Sequence, residues 1–408
     1  IPGVLYRMYG DTETMREHYA SMERYMDFLA RFGGDNGGRT FYGDWLAYEP
    51  TEKPYIALAY YANDARLMAK YSRILTAKAG DFYAQRAAFY EALHRHLRGV
   101  FADRYVREGS LTETSQTAYL LALHFDLLDA EPRRNAVTAL AQKIRENGYT
   151  LSTGFLGTGI LLQTLSEVGL TDLAYSLLLQ TRDPSWLYSV RQGATTIWER
   201  WNSILDDGTI SGTEMNSLNH YSYGSVMEYV YRYMAGIQET QAGFGAVHFA
   251  PQLNNKLRFV EYRYDSVSGK YTSAWSVNED GSVTVRFEVP FGCHATAVLP
   301  SVAETEKKNL QEEIKLEPGV HEFRYRTKRD YRKAYTMDSR LEEMQNDPRA
   351  LEILERKMPL ALAKIQGKDA EDLNLSLNEL QYMFFLGFHP DMVQSAAEEL
   401  LQLDVIYK

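Results

Sequence analysis

The sequence predicts a mainly α protein: a helical toroid or bundle, then a β-sandwich, then a small helical unit. Three observations predict it. From the N-terminus to about residue 240, apolar residues recur at three- to four-residue spacing. Near residue 245 the spacing changes to strict alternation between turn residues, the pattern of short half-buried strands. From Asp338 the helical spacing returns. The predicted units are residues 1–243, 244–330 and 331–408.

In the first unit, Tyr25, Met26, Phe28, Leu29 and Phe32 are placed on one helical face behind a start signal at Asp11. Ile56, Leu58, Ala59, Ala62, Ala65, Leu67, Met68 and Leu75 mark a long apolar helix over Tyr55–Leu75. Helices follow over Asp81–Phe101, Thr114–Leu128, Arg133–Asn147, Gly159–Gly169, Leu173–Gln180, Gly193–Trp201 and Ser222–Ile237. Gly80, Gly109 and Asn147–Gly148 mark ends between them. No strand–glycine loop–helix unit occurs, so a parallel βαβ sheet is not expected. In the second unit HFAPQL, LRFVEYRYDSV, KYTSAWSV, SVTVRFEVPF, CHATAVLP and GVHEFRYR read as strands, with turns at Asn254–Asn255, Ser268–Gly269 and Asp280–Gly281. In the third, Asp347–Pro348 and His389–Pro390 read as helix starts.

Composition narrows the function classes. The length of 408 residues suits two or three domains. A net charge of −10 argues against a nucleic-acid partner and against an anionic membrane surface, both of which need clustered Lys and Arg. No stretch approaches the roughly 20 apolar residues of a membrane helix. The lone Cys293 rules out a disulfide framework and a cysteine-rich zinc site. His94 and His96 are two apart on a helix and face different directions, so no metal site is expected there. No GxSxG, HExxH, P-loop or EF-hand pattern occurs, and no cofactor is expected. The run Gly154, Gly157, Gly159 reads as a turn where something approaches the backbone closely.

The positive signal lies between Thr181 and Tyr223. PSWLYSVRQGATTIWERWNS holds three Trp, a Tyr, two Arg and one Glu. Glu199 stands between Trp198 and Trp201. A carboxylate among aromatic rings is partly desolvated, which raises its pKa and suits proton transfer near neutral pH. An ion pair with Arg200 or Arg191 is the structural alternative. Asn216, Asn219, His220 and Tyr221 precede the next helix and carry the donor and acceptor groups that bind hydroxyls, or cap that helix. Asp44 and Trp45 lie in the loop FYGDWLAYEP, either as ligand groups or as a helix cap and a lid over the core.

The ordered set GDWLA, SQTAYLLAL, TGFLGT, PSWLY, GATTIWERW and NSLNHYSYG resembles glycoside hydrolase family 78, the α-L-rhamnosidases, over residues 1 to about 300. The resemblance implies an (α/α)6 barrel, incomplete at its N-terminus here, followed by an antiparallel β-sandwich. It implies hydrolysis of terminal α-L-rhamnose from a rhamnose-containing glycoside or oligosaccharide, with inversion. It matches Glu199 to the general base, His220 to a rhamnose-binding histidine and Trp45 to a wall of the sugar pocket. Trp186, Tyr188 and Trp201 are expected as further walls, with Asp44 and Asn219 as additional sugar contacts.

One departure bears on mechanism. The family's general acid lies in a motif resembling DERLGWTGD, and nothing like it occurs in these 408 residues. The expected partner for Glu199 is therefore an upstream part of the same polypeptide. A sugar-binding protein without turnover and a scaffold whose aromatics serve only as core are the alternatives. The scaffold predicts that Trp45, Trp186 and Trp201 are all buried.

Overall fold

A computed structural model describes residues 1–38, 40–212, 214–307 and 313–405, excepting the side chains of 78, 79 and 370. The helices of the first unit are α1 (Pro2–Tyr9), α2 (Glu13–Gly33), α3 (Lys53–Ala79), α4 (Asp81–Tyr105), α5 (Gln116–His124), α6 (Ala130–Glu146), α7 (Phe155–Glu167), α8 (Thr171–Leu178) and α9 (Trp186–Arg191). A two-stranded ribbon, β1 (Val106–Arg107) and β2 (Ser110–Leu111), joins α4 to α5. The long helix α3 lies at the centre of this layer: Tyr55, Ile56, Leu58, Ala59, Ala62, Ala65, Met68 and Leu75 are all buried. Small Ala side chains let α3 and α4 approach closely while Tyr90, Leu97 and Phe101 fill the gap between them.

Three expectations are corrected. On α2, Met15, Tyr19, Met26 and Leu29 are buried, whereas Tyr25, Phe28 and Phe32 form a separate exposed stripe. At 100° per residue, Tyr25 and Met26 cannot share a face. Residues 193–201 are not helical; the helix lies before them, as α9, started by the Ser185 hydroxyl accepting from the Tyr188 amide. The helix expected over Ser222–Ile237 is a composite. It runs from a 3₁₀ turn at Ser222–Ser225 through α10 (Val226–Tyr229) to a π-type turn at Val230–Met234.

Eight further strands make two four-stranded sheets. They are β3 (Ile237–Glu239), β4 (Ala246–Phe249), β5 (Phe259–Ser266), β6 (Gly269–Val277), β7 (Ser282–Val289), β8 (His294–Ala297), β9 (Ile314–Leu316) and β10 (Gly319–Arg326). The sheet orders are β10-β7-β6-β5 and β3-β4-β8-β9; the β4–β8 pairing is parallel and the rest antiparallel. Val283, Val285, Phe287 and Val289 alternate inward along β7, and Phe287 stacks on Phe249 of the facing sheet at 4.6 Å. Polar tips on β6 tie the sandwich to the chain leaving α10. Trp275 Nε1 donates to Met234 O (3.0 Å), Ser273 Oγ to Ala235 O (2.5 Å) and Tyr271 OH to Phe244 O (2.6 Å).

The last unit has its own apolar core of Tyr335, Leu341, Met344, Leu354, Met358, Leu377, Phe388, Val393 and Leu400. Its helices are α11 (Leu341–Met344), α12 (Pro348–Lys357), α13 (Pro359–Gly367), α14 (Ala370–Leu373), α15 (Leu377–Leu380) and α16 (Pro390–Leu400). α12 and α16 begin at the two expected Pro starts. Among the described residues no helix is long and apolar enough to cross a membrane.

This unit meets the helical layer through a hydrogen bond from Tyr149 OH to Glu342, which is only 6% exposed. Burial pushes the Glu342 carboxyl up to about 7, against the Tyr149 bond and Arg145, which pull it down; Glu343 adds to the rise and Arg340 opposes it. The folded pKa is raised above the unfolded one. The group's stabilising contribution is therefore full below about pH 4.3 and lost as pH rises through about 7, an effect of up to about 3 kcal/mol. Amide protection across α11–α16, taken relative to the intrinsic exchange rate at each pH, is expected to fall between about pH 4.5 and 7, and Glu342→Gln to flatten that dependence. An unchanged dependence in the variant would remove Glu342 as its cause.

Candidate active site

Two loops and the start of α7 build the site. Helix α7 opens with free backbone N–H groups and the positive end of its dipole, and a carboxylate is their natural complement. Asp44 supplies it from a distant loop. Its Oδ2 accepts from Gly154 N (2.8 Å) and Thr117 Oγ1 (2.5 Å), and its Oδ1 from Leu156 N (2.7 Å) and Gly157 N (3.3 Å). Four donors fill the capacity of a carboxylate. Asp44 is thus a cap on α7, the second of the two roles its loop position allowed.

The same loop is fastened again just beyond Asp44. Phe155 N donates to Trp45 O (3.0 Å), and Tyr48 N and Glu49 N donate to Ser152 O (3.0 and 3.2 Å). The approach is so close that a Cβ on Gly154 would lie 2.2 Å from Trp45 O, so the glycine-rich run is the close-approach turn its spacing predicts. Trp45 is left half-buried, edge-on to Tyr42 at 5.6 Å.

The second loop is a hairpin-like ladder between residues 196–199 and 217–220. Glu199 N donates to Ser217 O (2.8 Å), His220 N to Ile197 O (2.8 Å) and Thr196 Oγ1 to Leu218 O. Ser217 N returns a bond to Glu199 Oε2 (2.8 Å). Arg200 is spent on the carbonyls of Met215, Glu214 and Ser211 (3.1, 2.7 and 3.4 Å). Among the described residues Glu199 has no ion pair, so the salt-bridge alternative fails. Glu199 is 5% exposed. Among the described residues its Oε1 has no donor, and it is not among the buried unpaired atoms, so it is the oxygen open to a ligand or water.

His220 lies between two rings, stacked on Phe155 (5.0 Å, 28°) and on the exposed Tyr221 (5.1 Å, 18°). Its Nδ1 accepts from Ser222 N at 3.3 Å. In the neutral ring the proton then sits on Nε2, leaving one N–H to donate to a hydroxyl. An aromatic column continues inward. Phe155 packs edge-on against Tyr223 (5.2 Å), Tyr223 stacks on Trp201 (3.8 Å, 16°) and Trp201 meets Trp186 edge-on (5.1 Å). Trp186 Nε1 donates to Tyr223 O (2.9 Å), and Tyr188 OH to Ile204 O (3.1 Å).

Trp186, Tyr188 and Trp201, expected as walls, are 8, 6 and 3% exposed and pack as a buried floor. Trp45 is joined to the α7 start through its carbonyl, Phe155 at that start stacks on His220, and Glu199 stands on the ladder that carries His220. Asn219 is exposed on the rim, and its side chain makes no bond to the described residues. Its backbone makes a tight turn with Ser217. Tyr48, three residues beyond Trp45, donates to Asp183 (2.9 Å), whose carboxyl burial raises and the Tyr48 bond lowers. Among the described residues no group of three or more His, Cys, Asp or Glu could hold a metal, and His94 and His96 turn to different partners, Ala62 O and Asp35.

The family model of the bacterial α-L-rhamnosidase six-hairpin glycosidase domain matches residues 1–234, and that of the bacterial α-L-rhamnosidase C-terminal domain matches 236–314. The chain belongs to this rhamnosidase family. An α-L-rhamnosidase of Formosa agariphila is 33% identical over 358 residues, covering 79% of this chain and 37% of that protein. One from Streptomyces avermitilis is 37% identical over 286 residues, covering 69% of this chain and 27% of the relative. The crystal structure of the Streptomyces avermitilis enzyme complexed with L-rhamnose superposes with a TM-score of 0.73 at 32% identity, over 80% of this chain and 32% of that one. The Aspergillus terreus enzyme gives 0.72 at 30% identity, over 79% and 37%. This chain thus spans about a third of the length of the rhamnosidases it matches.

Within this rhamnosidase fold, sequence reasoning missed Phe155, Ser217 and Tyr223. Phe155 was visible only as part of TGFLGT, and its link to His220 is a tertiary contact. Ser217 acts through its backbone amide, which no side-chain pattern reports. Tyr223 left a signal, since a tyrosine three residues before a helix of apolar and aromatic residues has no local reason to be buried.

Proposed function

We propose that this chain carries the general-base side of an inverting α-L-rhamnoside hydrolase, with Glu199 as the base. The carrying observation is the split role of the Glu199 carboxylate: Ser217 N holds Oε2, while Oε1 has no donor among the described residues. That arrangement fixes the rotamer and leaves one oxygen to take a proton from water. His220 Nε2–H would bind a rhamnose hydroxyl, and the half-exposed Trp45 ring would face the C–H and methyl side of the sugar. Asn219 is kept as a rim contact. Inversion needs a second carboxyl roughly 6.5–9.5 Å away to protonate the leaving oxygen; the sequence holds no DERLGW-like block, and an upstream stretch of the polypeptide is the proposed source. The units 1–243, 244–330 and 331–408 are proposed as catalytic, sandwich and accessory.

The test is the anomer first released from an aryl α-L-rhamnoside by the protein at its full encoded length, followed by proton NMR. β-L-rhamnose is expected; α-L-rhamnose released first would exclude a water-activating base. The missing acid motif favours a second reading, a rhamnose-binding protein, which saturable binding of L-rhamnose with no hydrolysis would select.

A further inference from the structure

Beneath Glu199 the floor holds a group that neither packing nor capping explains. Tyr223 is 2% exposed, yet its hydroxyl is buried with no hydrogen-bond partner, and so are Trp201 Nε1 and Ser225 Oγ beside it. The three belong to one small region: Tyr223 and Trp201 stack at 3.8 Å, and Ser225 follows two residues on. A buried unpaired hydroxyl is costly, and Phe would pack in the same stack without that cost. The cluster therefore points to a bound partner small enough to sit inside it, and water has the right size and polarity. Trp201 is two residues from Glu199 and Tyr223 three from His220, so the stacked pair flanks both strands of the ladder that carries the carboxylate. Burial first, then the carboxylates of Asp44 and Glu199, push the Tyr223 phenol up, so it stays a neutral hydroxyl.

We propose that Tyr223 is a positioning residue for the attacking water, which is held between Tyr223 Oη and Glu199 Oε1. Resting on the reading above, the water donates one hydrogen to each oxygen, and a lone pair then faces the anomeric carbon. As the new C–O bond forms, Glu199 takes the water's proton. The glycosidic C–O bond breaks, and its oxygen takes a proton from a second carboxylic acid. Tyr223 gains and loses nothing, and acts by orientation alone.

The test is Tyr223→Phe in the protein at its full encoded length, which keeps the stack on Trp201 and Phe155. Turnover of an aryl α-L-rhamnoside is expected to fall about 10- to 100-fold with KM within about twofold. The melting temperature should hold, since Phe keeps the ring stack. The double variant with Glu199→Gln should be no slower than Glu199→Gln alone, because both act on one water. Normal turnover, a loss confined to KM, or full additivity in the double variant would each overturn the proposal. If Glu199→Gln itself is fully active, the base assignment falls first; if it is inactive while Tyr223→Phe is normal, only the tyrosine's role falls.

Discussion

Glu199→Gln is expected to lower turnover of an aryl α-L-rhamnoside by at least about 10²-fold, with folding and KM little changed. The amide is isosteric, so its oxygen can still accept from Ser217 N and the 196–199/217–220 ladder survives. What it loses is the ability to take a proton at the oxygen that faces away from the ladder. No cation pairs with Glu199, so neutralising it leaves no buried charge behind, and the stability cost should be small. Kinetics and a melting curve on the same preparation decide the point. Near-normal turnover would end the assignment, and a collapse in stability would show that the carboxylate is structural.

Asp44→Ala should be the most damaging change to the frame. It removes the acceptor for three backbone N–H groups at the start of α7 and for the Thr117 hydroxyl. Loss of the cap costs about 1–2 kcal/mol, and unpaired buried donors add about 1–3 kcal/mol, so roughly 2–5 kcal/mol is expected. At about 2–4 °C per kcal/mol for a domain of this size, the melting temperature should fall by roughly 4–20 °C. Activity should fall further than stability predicts, even well below the melting temperature. The Asp44 loop carries Trp45, and the α7 start carries Phe155, on which His220 stacks. Asp44→Asn, which keeps the shape but not the charge at a helix N-terminus, should lie between. A wild-type melting curve for Asp44→Ala would mean the four bonds are not holding the loop.

Legibility followed the range of the forces involved. The long apolar helix α3, the alternating strands β5 to β7 and the Pro-started helices α12 and α16 were readable because their patterns are local periodicities. Residues 193–201 failed as a helix because Arg200, Asn216 and the ladder to 217–220 hold that segment open, and those partners lie well beyond one turn. The aromatic density around Glu199 marked a region dense in ring contacts and did not rank its rings by burial. Trp186, Tyr188 and Trp201 looked like Trp45 in sequence, and only packing separates floor from wall.

By itself the sequence determined the class of each unit, the glycine-rich close approach and the motif order that identified the family. The tertiary structure decided what each polar group in the site has left to give. It consumed Asp44 on a helix start, consumed Arg200 on carbonyls, and left Glu199 Oε1, His220 Nε2 and the Tyr223 hydroxyl unspent. The physical reason is that hydrogen-bonding capacity is finite, and its use depends on partners brought together across the chain.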